Sequence, residues 1–380
     1  MAKTKLQAVR KALGHTQQHV IRLLIQRART RGISLPAPAS LQTMLSRWEN
    51  GHEEVTTPDY QKLFREIYGR TNEELGFPPE PEDESLEELR ARIAVARSID
   101  VETIEQFQQQ VNLARTSDAR FGATTVLDQL NSHIAQIQRI LTYAVPLRYR
   151  ARLSAVLTDA STLAGWNSLD RGAIKAAWDH HETAKLAARE ADSPSLLAHA
   201  TAQQAVILLD LGETAAAVEN FEVARLLVDR HAPALLRGWL AAAHGEGLAA
   251  QGRRDDALRA FDEADALLPA DPVDPRMPFL LLNRAHLARW RGSALTRLGE
   301  QEAIDHLEAA ARAIPTAGRR AIRGEAGMLV DLAFAYAAAG DRDAALEYAR
   351  KARQLVSQIG SDRQRRRLKR LVLPGSAEIA

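Results

Sequence analysis

Four side chains in one short stretch could read a nucleic acid: Gln42, Thr43, Ser46 and Arg47. A Gln amide can pair bidentately with adenine, an Arg guanidinium with guanine, and Thr can touch a thymine methyl, while Ser and Thr hydroxyls bond base edges or phosphates. On a helix these four positions share one face. Leu41, Met44, Leu45 and Trp48 alternate with them and make the opposite face apolar. Ser40 suits an N-cap and Gly51 a stop, so residues 40–51 predict a short capped amphipathic helix that packs by one side and offers the other. Trp48 and Leu45 belong to the core side.

The elements that must hold this stretch follow from the punctuation around it. Residues 3–13 read as a helix ended by Gly14. A second opens at Thr16, a good N-cap, and runs to about residue 30. Residues 32–39 predict a loop because Pro36 and Pro38 cannot sit in a helix interior. Pro58 fits the first turn of a fourth helix, 58–68, closed by Gly69, and Thr71 with Glu74 makes a capping box for a fifth. Residues 78–85 are acidic and Pro-rich and read as a linker. The net charge of the 380 residues is only +2, but it is unevenly spread. Residues 1–47 hold nine Lys or Arg and no acid, whereas residues 49–88 hold thirteen acids against three bases. A positive lobe of this kind suits a polyanion; the alternative is a solvated basic face.

The motifs Leu13-Gly-His-Thr-Gln-Gln18, Leu45-Ser-Arg-Trp-Glu-Asn-Gly51, Pro58-Asp-Tyr60 and Glu73-Glu-Leu-Gly76 resemble the helix-turn-helix of the Xre/Cro repressor family, in the version common in actinobacterial regulators. The resemblance covers residues 1–77. It implies double-stranded DNA as partner, with Gln42 and Thr43 entering the major groove first and Ser46 and Arg47 a turn later. It also implies phosphate contacts from Thr16, Gln17 and Ser40, helped by Arg10 and Lys5. Two departures stand out. The connection before the recognition helix, residues 25–39, is lengthened and carries prolines, and Glu53-Glu54 replaces neutral or basic residues.

Residues 86–145 show helical spacing throughout, with a long helix expected from Ser85, capped by Glu88, until residues 118–123 break it, and another over 127–143. From 146 onward the chain is periodic. Gly172, Gly212, Gly252, Gly299 and Gly340 recur at intervals of about 40 residues, each followed by an Ala, bulky or small, Ala triplet such as Ala217, Phe221, Ala224 or Ala257, Phe261, Ala264. Seven residues before each lies another small residue: Gly165, Ala205, Gly245, Gly292 and Ala333. This pattern predicts stacked pairs of antiparallel helices in close approach. It is similar to the tetratricopeptide repeat, with a period longer than that family's 34 or so. Pro269 to Pro278 accounts for the longest interval, and 361–370 reads as a basic amphipathic capping helix, with a second nucleic-acid contact as the alternative.

The expected fold is therefore all-α: a five-helix Xre-type domain at 1–77, a linker at 78–85, connecting and dimerising helices at 86–145, and a tetratricopeptide-like solenoid at 146–380. Repeat geometry projects Asp159, Trp166 and His199 onto the inner face, followed by Trp239 and Glu246, then His286, Arg289 and Arg297. Trp, His and Arg commonly anchor a bound peptide, and ordinary helix-face residues are the alternative for each. The fused architecture resembles the peptide-sensing regulators of Gram-positive bacteria, which implies a peptide or protein effector in the groove and a homodimer on a two-fold operator. A scaffold that uses its helix-turn-helix for protein contacts would fit the same residues. No cysteine is present, so disulfides and thiolate metal sites are excluded. His15 and His19 lack a third ligand, and His180-His181 falls where a repeat needs a bulky residue. With no Gly-rich phosphate loop and no nucleophile elbow, neither an enzyme nor a cofactor is expected. No run of about 18 apolar residues and no leader-like N-terminus is seen, which points to the cytoplasm and its nucleoid.

Overall fold

The computed structural model describes residues 2–78, 86–270, 274, 277–280, 282–313 and 322–374. Nearly all of the expected linker, the Ser85 half of its capping box, much of the Pro269 to Pro278 insertion and Pro315 lie outside the described residues. Among the described residues every regular element is a helix, and none is long and apolar enough to cross a membrane. The chain divides into two compact units, Met1–Leu89 and Arg90–Ala380.

The first unit carries α1 (Lys5–Ala12), α2 (Gln17–Arg31), α3 (Pro38–Glu49), α4 (Pro58–Tyr68) and α5 (Asn72–Leu75). Thr4, Thr16 and Thr71 cap α1, α2 and α5 through their hydroxyls. α3 corrects the expected start at residue 40. It begins at Pro38, follows Ala37 without a side-chain cap, and leaves Ser40 exposed inside its first turn. A first-turn N–H has no helical partner, so proline's missing donor costs nothing there and its fixed φ favours the helix. The loop is thereby shortened, since α2 continues to Arg31 and ends at Gly32 in the left-handed region. Leu24, Leu41, Leu45, Leu63 and Phe64 are fully buried between the helices, and the Trp48 ring lies edge-on to Phe64 at 5.9 Å.

The second unit opens with α6 (Leu86–Arg97), α7 (Val101–Phe121) and α8 (Leu127–Thr142). One long helix was expected up to residue 118; instead the chain breaks at Ser98, where the Asp100 carboxylate accepts from Thr103 N at 2.8 Å and caps a new helix that continues through Asp118. The side-chain cap outweighs the continuous apolar spacing. Phe107, Val111, Leu130, Ile134 and Ile137 pack with Leu153 and Val156, while Val95, Leu113 and Phe121 are exposed.

Five antiparallel pairs follow. They are α9 (Leu147–Asp170) with α10 (Ile174–Glu190), α11 (Pro194–Leu211) with α12 (Thr214–Leu226), α13 (Ala234–Ala250) with α14 (Arg254–Leu267), α15 (Arg284–Leu298) with α16 (Ala303–Ala313), and α17 (Ile322–Ala338) with α18 (Arg342–Ile359). α19 (Asp362–Lys369) comes last. Within a pair the small residue of the first helix receives the bulky residue of the second: Gly165 faces His181, Gly245 faces Phe261 and Gly292 faces Leu307. A Cβ on Gly292 would stand 2.7 Å from Leu307 Cγ and 3.2 Å from the Ala303 carbonyl. Gly292→Ala should therefore destabilise the array by about 1–3 kcal/mol, read from the urea midpoint of tryptophan fluorescence. An unshifted midpoint would refute the close-approach account.

The end of the array returns to its beginning. Arg323 of α17 pairs with Asp118 of α7 and donates to Asn167 Oδ1 of α9 at 3.1 Å. Gly122 presses against the Ile359 carbonyl so closely that no side chain fits between them.

Candidate functional site

In the first unit, α3 turns Gln42, Thr43 and Arg47 to the exterior, with Ser46 half-buried between them. Thr43 Oγ1 donates to the Ala39 carbonyl at 3.2 Å, and Asn50 Nδ2 donates to the Ser46 carbonyl at 2.7 Å. Arg47 reaches Glu53 at 2.7 Å, an exposed pair that binds one of the two unusual acids to the face a nucleic acid would use. Gln42 and Arg47 therefore present an amide and a guanidinium one turn apart on a solvent-facing helix.

Behind this face lies a polar clamp that sequence reading missed. Glu49, fully buried, accepts from Arg10 Nε at 2.5 Å, from Arg10 Nη2 at 2.7 Å and from Gln17 Nε2 at 2.8 Å. Arg10 also donates to the His15 carbonyl at 2.8 Å. One carboxylate thus ties α1, the turn before α2, α2 itself and α3 together. Its hydrogen bonds push the Arg10 pKa further up. Arg10 is only 9% exposed, which corrects its expected role at a phosphate: a guanidinium already forked onto a buried carboxylate has little to offer a backbone. Gln17 spends its amide on the same clamp. Thr16 caps α2, Ser40 is free at the surface, and Lys5 Nζ donates to the Glu73 carbonyl at 3.0 Å. The missed signal was the spacing of Leu6 and Arg10, which places the arginine on α1's buried face.

In the second unit two of the residues projected onto the inner face, His199 and Trp239, are brought into contact. His199 of α11 lies against Trp239 of α13 (ring centroids 5.0 Å apart) and Phe279 (4.6 Å), and Trp239 meets Trp290 of α15 edge-on at 5.8 Å. Burial drives the His199 pKa down to about 3, so the ring is neutral. Asp159, Trp166 and His286 are held separately, by side chains outside the projected set. Asp159 of α9 pairs with Arg115 of α7 and accepts from Gln108 Nε2 at 2.8 Å. Trp166 lies under Arg363 of α19, whose guanidinium carbon is 5.4 Å from the ring centroid. His286 Nδ1 lies 2.7 Å from Asn283 Oδ1, beside the cap of α15, and burial first, then Arg289, lowers its pKa to about 4. Glu246 is half-buried, Arg289 likewise, and Arg297 is exposed. Asp159, His199 and Trp239 were expected as open anchors; in this conformation Arg115 and Gln108 occupy Asp159, Phe279 covers His199, and Trp239 is buried against His199 and Trp290. Trp290, Asp210 and Asp331 belong to the same surface and were missed, because periodicity marks faces and not partners. Among the described residues no cluster of three potential metal ligands occurs.

No protein-family model matches the chain, and no curated protein matches it. Among solved structures it is similar to a Rap protein complexed with Competence and Sporulation Factor, at 13% identity over 90% of this chain and 86% of that one, with a TM-score of 0.50. It is also similar to the apo form of RapI, at 12% identity over 73% of this chain and 92% of that one, with a TM-score of 0.49. A third is Bacillus thuringiensis PlcR in complex with the peptide PapR7 and DNA, at 13% identity over 85% of this chain and 99% of that one, with a TM-score of 0.41. At this identity the first likeness speaks for the fold alone, an all-helical repeat array.

Proposed function

We propose that this chain is a sequence-specific DNA-binding transcriptional regulator whose repeat array takes a peptide or protein effector. The observation that carries the reading is α3: an exposed Gln42, Thr43 and Arg47 face whose back is clamped through Glu49 onto α1 and α2. A rigid helix with an exposed amide and an exposed guanidinium, the latter paired with Glu53, set in a basic lobe, has the chemistry to enter a major groove. Gln42, Thr43, Ser46 and Arg47 read bases, and Thr16, Ser40 and Lys5 hold the backbone. A single module of this size binds weakly, so the active form is a homodimer on a two-fold operator in the cytoplasmic nucleoid. A Rap protein of the same repeat fold holds Competence and Sporulation Factor, and in this chain a peptide would take the inner face lined by α9, α11, α13, α15 and α17.

The test is selection of binding sites from random duplex DNA. Wild type should enrich one palindromic sequence. Arg47→Ala should then cost about 1–3 kcal/mol on that sequence and relax one position of it. Glu53→Gln, which frees Arg47, should tighten binding a few-fold at low salt and less at high salt. Enrichment of no sequence would overturn the reading in favour of a scaffold whose first unit contacts protein.

A further inference from the structure

The last helix is seated inside the array. α19 packs on α9, α17 and α18, and Arg363 extends the contact to α11. Helices from the first, second and fifth pairs can meet one helix only within the superhelical turn.

The contacts that seat it are chiefly ionic. Arg363 forks onto Asp210 of α11 at 2.6 and 2.7 Å, over the Trp166 ring. Arg367, one turn later, donates to Asp331 of α17 at 2.7 Å. Ser361, the N-cap of α19, donates to Asp170 of α9 at 2.6 Å. These carboxylates come from three different helices and stand 153, 36 and 191 residues from their partners in sequence, so no local rule placed them together. Asp170 is 3% exposed and its Oδ2 has no hydrogen bond. An ordinary terminal cap covers the last repeat with an apolar stripe. α19 instead buries one leucine, Leu368, and is otherwise Asp-Arg-Gln-Arg-Arg-Arg and Lys.

We infer that the inner face is a guanidinium-binding groove occupied by the chain's own C-terminal helix, and that a cationic peptide carrying two arginines one helical turn apart displaces it. The inference rests on the array being a peptide-sensing module. If α19 leaves, Asp210 and Asp331 lose the guanidinium groups hydrogen-bonded to them, and whichever guanidinium is available restores those bonds. A planar bidentate fork over an aromatic ring selects arginine over lysine.

The probe is a fluorescein-labelled peptide with the sequence of residues 361–370, titrated into the full chain and followed by anisotropy. Wild type should bind it weakly. Arg363→Ala with Arg367→Ala in the chain should strengthen capture about tenfold, because the groove is no longer filled. Asp210→Asn with Asp331→Asn should abolish it, and a peptide with lysine at every arginine should bind at least about fivefold less tightly. A folded double-arginine variant that binds no better than wild type would make α19 a structural cap and overturn the inference. If that variant does not fold, hydrogen exchange on the wild-type chain decides: saturating peptide should speed exchange of the α19 amides, and unchanged protection refutes displacement. Site selection on DNA proceeds separately, so loss of operator binding and loss of peptide capture are distinguishable results.

Discussion

Glu49→Ala should unfold the first unit at temperatures where the wild type is fully folded. The substitution strands the Arg10 guanidinium, which is nearly buried and now faces an empty space, and it releases Gln17. Breaking a buried pair from one side costs about 3–5 kcal/mol, most of it the desolvation of the abandoned charge. A domain of this size has roughly 5–10 kcal/mol in total, so the loss takes much of its stability. Hydrogen exchange over α1, α2 and α3 should rise by several orders of magnitude while protection in α9 to α18 is unchanged. Operator affinity should fall with it, although Glu49 touches no DNA. Removing both charges, as in Arg10→Met with Glu49→Gln, should be much milder, because no unpaired ion remains. A Glu49→Ala chain within about 1 kcal/mol of wild type would refute the clamp.

Acid should act on the other unit. Burial holds the His181 and His199 pKa values at about 3 and that of His286 at about 4, against 6.5 for a free imidazole. The folded array keeps these rings neutral while the unfolded chain protonates them, so their contribution is fully present above pH 6.5 and is lost as pH falls toward 4. Each costs about 1.4 kcal/mol per pH unit in that window. Asp118 opposes them: burial lifts its carboxyl to about 6 despite Arg323, which adds stability as pH falls from 6 toward 4. From pH 7.5 to 5.0 the loss from the three imidazoles outweighs the gain from Asp118, and burial lowers the His133, His180, His244 and His306 pKa values in the same destabilising direction. Urea titrations at the two pH values, read by the tryptophans of the array, should register it. His181→Phe gives the control. His181 has no hydrogen bond and fills the place that Phe221 and Phe261 fill in the next pairs, so the variant should shed about 2 kcal/mol of the acid loss. Equal acid sensitivity in the variant would show that His181 is not a source of it.

Both expectations rest on buried groups, which a sequence reveals less readily than it reveals periodic faces. The polar and apolar sides of α3 and the glycine, alanine and bulky-residue rhythm of the array could be read directly, because both are local periodicities. The start of α3 was misplaced by two residues because Pro38 was treated as an interior residue when it is a first-turn one. Glu49, Asp210 and Asp331 escaped notice for a different reason. A buried acid is defined by its partner, and here the partners are Arg10, Arg363 and Arg367, at separations no helical period connects. The inner-face residues were assigned to the right helices but not to their occupants, since Arg115, Phe279 and Arg363 arrive from outside the repeat pattern.

The clasp between Asp118 and Arg323 spans 205 residues. A ribosome adding about 5–20 residues per second needs roughly 10–40 seconds to deliver the second partner after the first. Asp170 and Asp210 are made within that interval, and their partners Ser361 and Arg363 follow later still. Closure of the array's acidic face therefore waits on partners that are made long after the carboxylates they cover.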